Sequence, residues 1–482
     1  MYRYLIAALY LLSFGWEAGA QSSWQKAADQ LASHPALKHG SISLCVIDIA
    51  SGKTVAQVDP GLSLKPASNL KVLTTGSALS LLGPGYRFST ALQYEGVLNK
   101  SGVLEGSLYL QGNGDPTLGS PLLEAATGPE ETLRLFRLAV QRAGIRHVKG
   151  PIIGDASAFG SQAYCRTWQW EDMGNYYAAG AWSLNWHENL HELHFEQTAE
   201  GRQPRITGTT PSVPGLSFQN EVTSGSPRSG DNAYIFGAPY QMERYVRGSI
   251  PAGSGVFTIK GALPDPPLLF AQLLQQELAG VGILCSGASR QFSPPARERT
   301  TIYTHYSPTL ASIVERTNME SVNLYCEAMV RAMGWEKAQE GSYAAGHKAI
   351  QAYWEERGLS WEGVFLDDGS GLSEGNAVSA RFLAAFMRKM AIGPPAVFEP
   401  FEASLPVAGR SGSLKNTLKG TAAEGRLLAK TGTLERVRAL TGYATTRSGQ
   451  RLAFCIILNR YEGPGGTVRK AMEQFLLSLC EE

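Results

Sequence analysis

The sequence has no CxxC pair, no clustered cysteines and no internal repeat. After its first residues it also has no apolar run near the roughly 20 residues that a membrane-spanning helix needs. Its six cysteines, Cys45, Cys165, Cys285, Cys326, Cys455 and Cys480, stand far apart, which excludes zinc ribbons and thioredoxin-type redox motifs. Net charge is nearly absent: 43 Lys and Arg against 42 Asp and Glu leave +1, so no global field draws the chain to nucleic acid or an anionic membrane. Charged residues make up only 18% and apolar residues 43%, the reverse of the balance that keeps a chain disordered. Length and glycine are plentiful. A chain of 482 residues suffices for several domains of about 150 residues each, and 53 glycines imply many turns.

The first residues read as a targeting segment. Arg3 precedes an apolar stretch from Tyr4 to Trp16, and Ala18-Gly19-Ala20 matches a small-x-small cleavage site before Gln21. The expectation is a signal peptide over 1–20, cleavage, and a periplasmic mature protein with no integral membrane segment. An uncleaved N-terminal anchor is the alternative; a lipid anchor lacks a cysteine at the cleavage point. Cys45 and Cys455 lie inside strand-like apolar runs and read as buried thiols.

Strand patterns mark both ends of the remaining chain. Residues 41–58 alternate around the turn Ser51-Gly52-Lys53, and Arg438 to Asn459 alternate around Arg447-Ser448-Gly449-Gln450, each predicting an antiparallel hairpin. Helical spacing predicts helices at Leu70 to Leu82, stopped by Gly83-Pro84-Gly85, at Leu310 to Arg316, Val322 to Met333 and Ala380 to Met390, and near 467–479. The predicted fold class is α+β, an antiparallel sheet built from both chain ends with helices around it. The stretch 86–299 differs, being rich in Gly, Pro, Thr and short alternating runs, with helices near 130–143 and 266–279. The expected division is therefore an outer domain of 21–85 plus 300–482, and an inserted region of 86–299, expected to be two nested subdomains.

Three short motifs carry candidate chemistry. In Ser68-Asn69-Leu70-Lys71 the spacing of three places both side chains on one helix face, so the lysine amine can reach the serine hydroxyl. A serine becomes nucleophilic only when a base takes its proton, and an amine serves only if burial or nearby positive charge lowers its pKa. Ser321-Val322-Asn323 also opens a helix. Lys430-Thr431-Gly432-Thr433 precedes the strand predicted at Arg438; its glycine would admit a ligand to a strand edge, and its lysine could bind a carboxylate. Each has an ordinary structural alternative: a helix cap with a surface lysine, a second cap, and a strand-entry turn.

Together, in this order, the motifs SxxK, SxN and KTG form the set of active-site serine β-lactamases and penicillin-binding proteins. Leu110 to Leu118 (LQGNGDPTL), Asp368 to Ser373 (DGSGLS), Ser404 to Gly409 (SLPVAG) and Ala429 to Leu434 (AKTGTL) extend the likeness. The chain resembles the three-domain D-alanyl-D-alanine carboxypeptidase/endopeptidase family of low-molecular-mass penicillin-binding proteins over most of its length. The long interval between Ser68 and Ser321 fits the inserted domains; class A β-lactamases have a far shorter one. Val322 departs from the acidic residue common in the middle of SxN.

The resemblance implies a β-lactamase/transpeptidase-like catalytic domain and a serine-type D-Ala-D-Ala hydrolase, inhibited by β-lactams and acting on peptidoglycan stem peptides without cofactor or metal. It implies that Ser68 is the nucleophile, Lys71 the general base, and Ser321 with Asn323 the relay to the leaving amine. Lys430 would orient the substrate with Thr431 and Gly432, and the backbone N–H groups of Ser68 and Thr433 would form an oxyanion hole. Glu171 or Asp172, in the aromatic stretch Trp168 to Tyr177, would meet a free amine of the stem peptide; a solvated loop is the plain alternative.

A competing motif is His187-Glu188-Asn189-Leu190-His191, which spells the HExxH of zinc metallopeptidases. Its flanks alternate as a strand does, and residues four apart in a strand are about 13 Å distant, too far to share one ion. A β-lactamase on the same fold would need a water-activating glutamate, which is not evident near the three motifs. A scaffold would be expected to have lost Ser68, Lys71 or Lys430, and transpeptidation is disfavoured because no glycan-polymerising module accompanies the domain.

Overall fold

The computed structural model describes residues 22–481; the expected signal peptide lies outside them. A five-stranded antiparallel sheet joins the chain ends in the order Leu427–Leu434, Val437–Thr445, Arg451–Asn459, Ser41–Asp48, Thr54–Val58. In the central strands alternate side chains point to opposite faces, and both faces are covered, which is why these strands read as nearly unbroken apolar runs. Leu44, Val46, Phe454, Ile456 and Leu458 face one core, against Trp24 and Leu31 near the N-terminus and Phe475 and Leu479 of the closing helix Gly465–Glu481. Cys45, Ile47, Ala453, Cys455 and Ile457 face the other, larger core. Cys45 and Cys455 are directly opposite in register, and both are free, buried thiols.

The larger core surrounds the helix Leu70–Leu82, buried over every residue from Leu70 to Leu79. Leu, Val, Thr, Ala and Gly on all its faces leave no polar stripe for solvent, as a central helix requires. It packs against the helices Leu310–Glu320, Asn323–Ala338 and Pro395–Ala403, and ends at Gly83 in a left-handed conformation.

Between the two halves of this sheet-and-helix body the chain forms a mixed sheet in the order Ala288–Gln291, Ile152–Asp155, Val103–Gly112, Ser89–Leu98, Thr300–Tyr306. Phe136 and Val140 of the helix Pro129–Arg142 and Phe270 and Leu274 of Pro266–Ala279 share one core with it. Within the connection from Asp155 to Pro266 lie two three-stranded sheets around Leu193, Phe195, Val222, Ile235, Val246 and Ile259. The expected boundary at 299 falls inside this inserted structure, because Thr300–Tyr306 pairs with Ser89–Leu98.

Candidate active site

Ser68 sits in a single 3-10 turn, Ala67–Asn69, that runs directly into the helix Leu70–Leu82. Lys71 therefore follows one turn later on the same face, and its Nζ lies 3.0 Å from Ser68 Oγ. The lysine is wholly buried and also donates to Asn323 Oδ1 at 2.6 Å and to the Ser370 carbonyl at 2.9 Å. Burial pushes its amine below the ordinary lysine value, while Cys326, Glu327 and Asp368 act against that shift. Burial is what lets the lysine give up its charge; the Asn323 and Ser370 oxygens hold the amine in place, and as a base it accepts from Ser68 Oγ rather than donating to it.

Ser321 closes the helix Leu310–Glu320 in a left-handed conformation (φ 61°), and the next helix opens at Asn323 with Val322 before it. Ser321 is thus not an N-cap, the ordinary alternative for this motif: it sits at the tight joint between two helices, freeing its hydroxyl to face the second lysine. Lys430 Nζ lies 2.9 Å from Ser321 Oγ, in a fully buried side chain. Burial first, and Lys71 second, press its amine well below the usual value.

Lys430-Thr431-Gly432-Thr433 lies within an edge strand of its own, Leu427–Leu434, a correction to its expected place just ahead of the strand at Arg438. Thr431 donates to Ser413 Oγ at 3.0 Å. Gly432 is required where the strand crosses the Ser68 turn, since a Cβ there would lie 2.6 Å from the Pro66 carbonyl oxygen and 3.0 Å from Asn69 N. Gly432→Ala should therefore part strand from turn. The expected result is a drop of at least tenfold in the rate at which a fluorescent penicillin labels the folded protein, followed by stopped-flow.

The structure brings Ser68, Lys71, Ser321, Asn323, Lys430 and the 431–433 edge together. Hollows flank them, one of about 360 Å³ against Thr431 and Thr433 and one of about 140 Å³ against Ser321 and Asn323. Asp172 lies on the loop that enters from the inserted region. Asn323 Nδ2 donates to the Tyr177 carbonyl of that loop at 2.7 Å. Burial pushes the Asp172 carboxyl up, and a hydrogen bond from Tyr177 opposes the shift. Trp170 and Tyr176 on the same loop are exposed.

Sequence reasoning missed the groups behind Lys71. Asp368 accepts from Gly371 N and Asn376 Nδ2 at 2.8 Å each, from Ser373 N at 2.6 Å and from Trp168 Nε1 at 2.9 Å, and so builds the loop that presents the Ser370 carbonyl to Lys71. Gly371 (φ 84°) lets that loop touch the Ser68 turn, where a Cβ would overlap the Ala67 carbonyl. The DGSGLS run was a visible signal, although the atom that matters is a backbone oxygen.

The HExxH residues take no part in this cluster. His187, Glu188 and Asn189 form a left-handed turn (φ 55°, 55° and 53°), and the strand expected through the motif begins only at Leu190. Trp182 to Trp186 forms no strand, only a bend at Ser183 and an isolated bridge at Leu184. Glu188 is bound to Arg316, and among the described residues no group of three potential ligands is arranged to hold a metal.

Comparison with known proteins gives concordant likenesses. The profile of the D-Ala-D-Ala carboxypeptidase 3 (S13) family matches residues 24–479. The chain is 31% identical over 450 residues to the D-alanyl-D-alanine carboxypeptidase of Actinomadura sp. (strain R39), which covers 90% of this chain and 81% of that protein. Its fold is similar to the crystal structure of penicillin binding protein 4 from Haemophilus influenzae, with TM-score 0.80 at 20% identity, covering 95% of this chain and 98% of that one. A structure of that same protein complexed with a β-lactam gives TM-score 0.75 at 20% identity, covering 94% and 98% of the two chains. With the profile spanning almost the whole described chain, this protein belongs to the D-Ala-D-Ala carboxypeptidase 3 (S13) family.

Proposed function

We propose that this protein is a serine-type D-Ala-D-Ala carboxypeptidase and DD-endopeptidase that hydrolyses peptidoglycan stem peptides through an acyl-enzyme and is inhibited by β-lactams. The observation that carries the reading is the pair of buried lysines, each within about 3.0 Å of a serine hydroxyl across three converging segments. Lys71, as the neutral amine, takes the Ser68 proton while Ser68 Oγ bonds to the carbonyl carbon of the penultimate D-Ala. The oxyanion is met by the backbone N–H groups of Ser68 and Thr433, an interaction typically worth a few kcal/mol. The C–N bond breaks as Ser321 passes its proton to the leaving amine and takes up in turn the proton that Lys71 received, so that Lys71, held in place by Asn323, is again a neutral amine. Lys430 and the Thr431–Thr433 edge hold the terminal carboxylate. Water then attacks the ester, and its proton leaves by the same amine. A β-lactam enters as the same acyl donor, but its leaving amine stays tethered.

Asp172 is assigned to a free amine on the stem peptide, a role supported by its loop meeting Asn323 through Tyr177. The N-terminal pattern supports export to the periplasm, and the paired small sheets support two nested subdomains within the insertion. The test is labelling with a fluorescent penicillin and intact-mass analysis, together with D-Ala release from a pentapeptide. Wild type should take one adduct, on Ser68, and release D-Ala; Ser68→Ala should do neither. An adduct on another side chain, or undiminished D-Ala release by the variant, would overturn the assignment. Digestion of cross-linked peptidoglycan measures the endopeptidase share.

A further inference from the structure

The glutamate of the HExxH motif has a partner set that the reaction above does not use. Glu188 is 2% exposed, in a left-handed turn that Asn189 braces by accepting from Trp186 N at 3.0 Å and donating to the Gly180 carbonyl at 2.7 Å. Its carboxylate takes both Nη groups of Arg316, the second at 3.2 Å, the Tyr325 hydroxyl at 2.9 Å, and the Ser120 hydroxyl. All four residues are buried. Glu188 and Ser120 come from the inserted region. Arg316 belongs to the helix that ends at Ser321, and Tyr325 to the helix that begins at Asn323.

One carboxylate therefore ties together the two helices whose joint carries the Ser321 hydroxyl and the Asn323 amide. Arg316 also donates to Tyr325 Oη at 3.0 Å, which closes the triangle. Ser321 holds a left-handed backbone conformation that a serine adopts only where its surroundings impose it. We infer that Glu188 is a positioning residue: its bridge to Arg316 and Tyr325 fixes the Ser321–Asn323 segment against Lys430 and Lys71, so that the inserted region sets the geometry of proton transfer. The inference rests on the acyl-enzyme reading above.

A broken buried ion pair lowers stability as well, so the test must separate misfolding from misplacement. In the full chain, the rate constant for labelling by a fluorescent penicillin is measured per labelled site, with the final labelling stoichiometry reporting the folded fraction. Glu188→Gln keeps the shape and removes the charge. It should reach near-stoichiometric labelling at a rate at least tenfold below wild type. Tyr325→Phe removes one hydroxyl from the bridge and should slow labelling at least threefold. His187→Asn, on the same turn but outside the bridge, should label at the wild-type rate.

Stoichiometric labelling of Glu188→Gln at the wild-type rate would overturn the inference. If Glu188→Gln does not fold, Tyr325→Phe decides, and a wild-type rate there overturns it. Slowing of His187→Asn to the level of Glu188→Gln would also sink it, since a general disturbance of the turn would then suffice. A wild type that takes no label would instead bring down the acyl-enzyme reading, a distinct outcome.

Discussion

Lys71→Met should reduce the rate of Ser68 acylation by about 10²–10⁴-fold, the usual range for removing a positioned general base. Methionine fills much of the same volume and keeps the helix Leu70–Leu82 packed, so the loss should fall on chemistry rather than on folding. Two consequences separate this from simple loss of a contact. In the proposed mechanism the base form of Lys71 is the active one, so the wild-type acylation rate should fall as pH drops through the lowered folded-state pKa. In the variant no amine of that kind remains and the rate should be nearly flat with pH. Weak reversible binding of the penicillin should persist, because Lys430 and the 431–433 edge are untouched. Stopped-flow labelling from pH 5 to 10 reads both. A variant that keeps more than a tenth of the wild-type rate, or keeps its pH dependence, would show that the proton goes elsewhere, with Lys430 the next candidate.

Much of this site was legible because its chemistry rests on short local spacings. The interval of three in Ser68-Asn69-Leu70-Lys71 fixes the serine–lysine contact once the helix forms, and the apolar spacing up to Gly83 predicts that helix correctly. The two hairpins at 41–58 and 438–459 were legible because short apolar runs are joined by Ser-Gly turns, even though burial on both faces leaves little alternation in the central strands. The unread features depend on long-range contacts or on backbone atoms. Nothing local marks the Ser370 carbonyl as a partner of Lys71, nor tells that Ser321 ends one helix rather than capping another. The KTG segment was expected only ahead of the strand at Arg438; nothing local shows that it is a strand itself, whose glycine is required because Pro66 and Asn69 cross it. At 187–189 local alternation failed for another reason. Side-chain hydrogen bonds from Asn189 stabilise a left-handed turn that places Glu188 next to Arg316.

Glu327 is the group behind Lys71 with the largest consequence for stability. Its side chain is wholly buried, and one carboxylate oxygen accepts from Gly369 N at 2.9 Å. Burial first, and Asp368 second, push the carboxyl from 4.5 up to about 8, against the pull of its hydrogen bonds and of Lys71. The folded protein thus keeps this proton up to about pH 8, while the unfolded chain releases it near pH 4.5. Between those values the unfolded state binds fewer protons than the folded state, so stability falls as pH rises. At about 1.36 kcal/mol per pH unit, the cost from this one residue is on the order of 3 kcal/mol at pH 7. Glu327→Gln mimics the protonated form and cannot ionise. It should melt several degrees above wild type at pH 8, with the gap closing toward pH 4.5, as calorimetry across that range would record. The variant should also shift the pH profile of acylation. An ionised Glu327 raises the Lys71 pKa, so without it the alkaline rise in acylation should move to lower pH. A melting gap that does not change with pH would mean that Glu327 is already ionised in the folded protein; the acidic side of the lysine would then hold its proton on rather than let it go.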